Sequence, residues 1–285
     1  MSLFSETFHA PSSGRWNAIG WLGELSARQS VLTGAGILLV AAMLPMGFAS
    51  LVDTRLFNGI NVWIKPLKFA LAVAIYMFTL AFFASWVEEK TRAARWFHAL
   101  AWATATIGTL EVFYIALQAS RDQASHFNYT DSLHMALYGL MGVGATFMIG
   151  FSAALGILIA RNGKLGVAPV IRDAVVLGLT LSFVLTLIPA GTMSAMGSHW
   201  IGGVHSDAGG MALTGWSRDG GDLRVAHLFG THAMHFVPAF GVVSAFALGP
   251  ERRWPVWLFT LVFCGFVAFL FFQALAGRPF LPWLH

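Results

Sequence analysis

The stretch WPVWLFTLVFCGFVAFLFFQALA, residues 254–276, carries no charged side chain over 23 positions. As a helix, at about 1.5 Å per residue, it is long enough to cross a hydrocarbon core about 30 Å thick. Lipid offers no water to bond peptide groups, so such a run must satisfy its N–H and C=O groups internally. Six more runs of this kind fall at 31–51, 66–87, 96–118, 133–160, 174–196 and 225–248. The whole chain agrees: 57% of its 285 residues are hydrophobic and 11% charged, with a mean hydropathy of +0.69, which fits no soluble domain. The fold class is therefore all-α, a polytopic membrane bundle of seven transmembrane helices over 31–276. Residues 1–30 form an N-terminal segment with a surface-lying amphipathic stretch at Trp16–Leu25, and 277–285 a short tail. No leader peptide is expected, since no apolar run followed by a small-residue cleavage site opens the chain.

Ten of the 17 basic residues fall in alternate loops on one side of this arrangement: Arg15, Arg28, Lys90, Arg92, Arg95, Arg161, Lys164, Arg172, Arg252 and Arg253. The positive-inside rule makes that side cytoplasmic, so the N-terminus is inside and the C-terminus extracytoplasmic. The net charge of +4 is thereby explained without a nucleic-acid partner; membrane lipid is the partner expected. Cys264 is the single cysteine, which excludes an intramolecular disulfide and a cysteine-ligated iron–sulfur cluster.

The polar residues are distributed unevenly. Seven of ten histidines, His126, His134, His199, His205, His227, His232 and His235, belong to the outer side, as do Asp131, Asp207, Asp219 and Asp222. In GGDLRVAHLFGTHAMHF (220–236), a continuous helix would place His235 about 80° and His232 about 140° around from His227, on one side. Asp222 is the expected N-cap, and Pro238 is expected to kink the helix just below the histidines. In the third run, Thr104, Gly108, Glu111, Tyr114 and Gln118 form a polar stripe, and an intramembrane Glu111 is a functional-site candidate by default. Lys68 lies inside the second run, and Asp131 is the expected N-cap beside His134 in the fourth. The loop 197–224 holds eight glycines in 28 residues, a density suited to folding back over the bundle mouth.

Imidazoles and a carboxylate at one depth suit zinc, iron, copper or haem iron. Preferred ligands are His227 and His232, with His126, His134, His199 and Glu111 as further donors. Arg121 and Arg224 are expected to hold an anionic group or to pair with Asp131 and Asp222. Several familiar chemistries are excluded. Residues 254–276 contain no lysine for a retinal Schiff base, and the chain has no paired histidines of the desaturase type, no HExxH and no phosphate loop.

The stretches NVWIKPLKFAL (61–71), LQASRDQASHFN (117–128) and GGDLRVAHLFGTHAMH (220–235) resemble a family of uncharacterised bacterial multi-pass membrane proteins with motifs of the form WIKPxKF, QAxRGxxSHFN and GDLRxAHFxGxHxxQ. The resemblance carries no activity. It implies a bacterial inner-membrane location and points to Lys65, Lys68, Glu111, Arg121, His126, His199, Asp222, Arg224, His227 and His232. His235 stands at the family's glutamine, and Asp122 at its glycine. The leading expectation is thus an extracytoplasmic-facing His/Glu site binding a metal ion or haem, with redox or metal-dependent chemistry on a lipophilic small molecule. In such an enzyme Glu111, Lys68, Arg121, Arg224 and Asp222 would supply the catalytic groups. The alternative is a proton-coupled small-molecule transporter or sensor whose same residues titrate.

Overall fold

A computed structural model describes residues 18–283, and nearly all of its regular structure is helical. Trp16 and Asn17 of the amphipathic stretch, together with His9, Arg15 and His285, lie outside the described residues. The rest of that stretch forms α1 (Ala18–Arg28). There follow α2 (Ser30–Val52), α3 (Ile64–Ala84), the short α4 (Glu89–Arg92), α5 (Arg95–Ser120), α6 (Ser132–Arg161) and α7 (Pro169–Met196). The chain is completed by α8 (Leu223–Thr231), α9 (Ala233–Leu248) and α10 (Trp254–Leu275). Six helices, α2, α3, α5, α6, α7 and α10, are long and apolar enough to cross a membrane, and α8 and α9, bent by 51° at the break between them, make a seventh if the pair is counted as one span.

The helix ends follow from local chemistry. The Asp131 carboxylate accepts from His134 N at 2.9 Å at the start of α6, and that of Asp222 accepts from Arg224 N at 3.0 Å at the start of α8, so both expected N-caps are present. α7 opens on Pro169 and stops at Gly197, whose left-handed φ of +66° suits a residue without Cβ. Large apolar side chains such as Leu44, Phe48, Leu51, Leu261 and Phe272 remain exposed on α2 and α10, the surface a lipid-facing bundle requires.

α7 is the central element, packed against α6, α8, α9 and α10. The expected kink at Pro238 is not where the span bends. A Cβ on Gly178 of α7 would lie 2.8 Å from Pro238 Cδ, so the missing side chain there makes room for the ring, and α9 continues through the proline to Leu248. The break falls six residues earlier, at His232, which leaves the helical region with φ −84° and ψ 6°. There the Thr231 hydroxyl donates to the His227 carbonyl at 2.8 Å and meets Thr186 Oγ1 of α7 at 3.0 Å. Back-bonding of this kind bends helices.

Candidate functional site

All the loops that matter lie at one end of the bundle: 53–63 between α2 and α3, 121–131 between α5 and α6, and 197–222 between α7 and α8. The first is a small hairpin, β1 (Leu56–Phe57) paired with β2 (Ile60–Asn61). Its Asn58 carbonyl accepts from Asp207 N at 2.8 Å and Ser206 Oγ at 3.1 Å, tying it to the glycine-rich loop. Within that loop β3 (Trp200–Ile201) pairs antiparallel with β4 (Gly221–Asp222), and Leu223 N donates to His199 O at 2.9 Å. Asp219 accepts from Val204 N at 3.0 Å and Ser217 Oγ at 2.8 Å. Lys68 Nζ reaches up from α3 to donate to Thr214 O at 3.0 Å. The loop is therefore a hydrogen-bonded roof.

At its centre is an ion-pair network. Arg224 Nη2 lies 2.6 Å from Asp222 Oδ2, 2.7 Å from Asp207 Oδ1 and 2.9 Å from the Gly215 carbonyl, with Nε 3.0 Å from Asp222 Oδ1. The Asp222 side chain is wholly buried and also accepts from Ser217 N at 3.1 Å. Burial works to raise its pKa, but the nearby His199 imidazole and the hydrogen bonds and charge of the Arg224 guanidinium outweigh it and hold the carboxyl well below the usual carboxylate range. The His199 ring packs on Trp200 at 3.9 Å between centroids, its Nδ1 3.5 Å from Asp222, too far for a well-formed hydrogen bond.

Beneath the roof lie groups from four elements. Glu111 of α5 is about 14 Å below the helix end at Ser120, 9% exposed, and its buried Oε2 has no hydrogen bond within the protein. Lys65, in the first turn of α3, stands within electrostatic range of Glu111, Asp207, Arg224 and His126. His126, from loop 121–131, touches Ser125 Oγ at 3.1 Å and packs against Phe69 at 5.2 Å. His227 Nδ1 and His199 Nδ1 are buried without a hydrogen bond, as is Trp200 Nε1. Unpaired buried polar atoms are uncommon, and these four, on residues beside Lys65, His126 and the roof, make this end of the bundle the candidate site.

Of the residues expected from sequence, Lys68, Glu111, His126, His199, Asp222, Arg224 and His227 converge on this end, though Lys68 acts as a strut to the roof. Arg224 pairs with Asp222 as expected. Arg121 does not join them: it is exposed at the end of α5, and Asp131 is engaged instead by His134 Nδ1 at 2.7 Å. His134 is thereby held at the edge. His232 meets His235, Nδ1 to Nδ1 at 3.1 Å, and stands in electrostatic range of His227 across the break in the span. No three His, Cys, Asp or Glu side chains among the described residues are placed to hold a metal ion together. Sequence reasoning placed Asp207 on the outer side without giving it a role, missed Thr79, a threonine in an apolar helix, and reached Lys65 only through the resemblance.

Burial lowers the His199 imidazole, against the pull of Asp222. Burial first, then the charges of Lys65, His227 and His199, pushes His126 well below the ordinary 6.5. A depressed folded-state pKa means that the unfolded chain binds more protons, so the stability these rings contribute is complete above about pH 6.5 and lost as pH falls below it. The melting temperature should therefore drop between about pH 7.5 and pH 5, and less so in His126→Gln. Equal drops in the two proteins would remove His126 as a cause.

Comparison with protein-family models, with curated proteins and with solved structures found no match, so function has to be read from these side chains themselves.

Proposed function

We propose that this chain is a multi-pass membrane protein that binds a small anion at the extracytoplasmic end of its bundle and couples that binding to proton uptake, as a proton-coupled carrier or sensor does. The observation that carries this reading is Glu111, buried with an unbonded carboxylate oxygen and with the Lys65 ammonium in range. Ionisable groups at such depth are expensive unless paired, and they mark substrate and proton pathways. The two other cations facing the site are already engaged, Lys68 with the Thr214 carbonyl and Arg224 with two aspartates. Lys65 has no hydrogen bond recorded among the described residues, and so is the cation free to change partner. An anion that takes Lys65 removes the counter-charge of Glu111, which then binds a proton; anion and proton enter together without adding net charge.

The test is a thermal-shift and calorimetric titration of detergent-purified protein with acetate, benzoate and phosphate as probes, in two buffers of different ionisation enthalpy. The expected result is stabilisation by at least one probe with proton uptake of about one per anion bound. Lys65→Met should abolish the binding, whereas Glu111→Gln should bind without taking up the proton. Uptake unchanged in Glu111→Gln would sink the proposal.

The metal or haem reading keeps one supporting observation, the bare buried nitrogens of His199 and His227. Metal analysis and an optical spectrum of the wild type beside a His227→Ala, His232→Ala double variant decide it. Stoichiometric metal lost in the variant, or a Soret band, would put a metal-dependent or haem redox protein acting on a lipophilic small molecule in place of proton coupling.

A further inference from the structure

Below the site just described, donor and acceptor counting fixes a second set of groups. Thr79 lies fifteen residues into α3, about 22 Å below its start, and its hydroxyl donates its one hydrogen to the Ile75 carbonyl at 2.7 Å. The Ile75 carbonyl can only accept, so satisfying this contact and the 2.9 Å one to His235 Nε2 together requires the hydroxyl oxygen to accept from His235, which puts the His235 hydrogen on Nε2. A neutral imidazole has one N–H, and His235 has used it. Its Nδ1 is therefore the acceptor in the 3.1 Å contact with His232 Nδ1, and His232 must be the donor. His232 is left with its hydrogen on Nδ1 and a bare Nε2, which has no hydrogen bond among the described residues.

We infer that Thr79 and His235 are positioning residues that lock His232 into its Nδ1–H tautomer, so that Nε2 is the lone pair this part of the span presents to an incoming hydrogen-bond donor. The sequence places both partners where this requires them. The backbone break at His232 turns the ring toward its i+3 neighbour, and α3 brings Thr79 against that neighbour from across the bundle. His227 is the titratable group in electrostatic range of His232 from the other half of the broken span. Hydrogen bonding at one ring nitrogen setting the role of the other is a general device for orienting functional imidazoles. Use of Nε2 by a ligand rests on the proposed function; the tautomer does not.

Nitrogen-15 NMR of protein labelled at histidine reads the tautomer directly. The wild type should show, beside any signal from His134, whose Nδ1 donates to Asp131, a histidine with Nδ1 protonated and Nε2 bare that is identified by its loss in His232→Gln. Thr79→Val removes the acceptor for His235 and should convert that signal into an average of both tautomers, and Thr79→Ser should restore it. A wild-type His232 protonated at Nε2 overturns the inference, and does so even if Thr79→Val fails to fold. An unchanged spectrum in Thr79→Val overturns it as well. The expected tautomer together with no response to any anion probe supports the lock and sinks the proton-coupled reading alone.

Discussion

Asp222→Ala is expected to lower stability by about 3–5 kcal/mol, enough to leave little folded protein after purification. The carboxylate is wholly buried and holds four partners: Ser217 N, Arg224 N as the N-cap of α8, the Arg224 guanidinium and, at longer range, His199. Loss of the cap accounts for about 1 kcal/mol. The larger part comes from Arg224, whose half-buried cation would be left with Asp207 and one carbonyl. Asp222→Asn retains a capping oxygen but turns an amide toward donors, and should fall between wild type and Asp222→Ala. A melting temperature in Asp222→Ala within about 2 °C of wild type would show that the network does not hold the roof.

Gly221→Ala is the second large effect. A Cβ at that position would stand 1.9 Å from the Ala274 carbonyl oxygen and 3.0 Å from its Cα, which is backbone at the end of α10 and cannot rotate aside. Either β4 or α10 must move, and forced overpacking costs about 1–3 kcal/mol or more. The displacement would carry Asp222 with it, so loss of the Trp200↔Asp222 pairing should accompany the drop in melting temperature. Gly163→Ala, where a Cβ meets nothing within 4 Å, is the matched control and should melt with the wild type. Similar melting of the two variants would refute the close approach.

The spans were legible because lipid imposes a rule that needs no tertiary context: length, apolarity and internal hydrogen bonding. The caps at Asp131 and Asp222 were legible because capping is local. The bend was misplaced because Pro238 is visible in sequence, whereas the space that Gly178 provides for it comes from another helix. The helical-wheel placement of His227, His232 and His235 assumes a straight axis, whereas the span breaks at His232. Glu111 was found from its cost alone, but its partner Lys65 lies 46 residues away in sequence, and nothing in spacing joins them. Asp207 and Thr79 depend wholly on contacts across the bundle.

The seat of Gly221 on Ala274 also bears on how the protein is made. Lys65, Glu111, His126, His199 and His227 have all been synthesised by residue 227, yet the strand that roofs them is braced against the far end of the last helix. A chain ending before Ala274 would hold every polar group of the site under a cover tied to the 53–63 hairpin and Lys68 but lacking its contact with α10. Contact with the end of α10 is thus the last brace the roof acquires, and released chains truncated just before and just after that turn should differ in protease cleavage of loop 197–222.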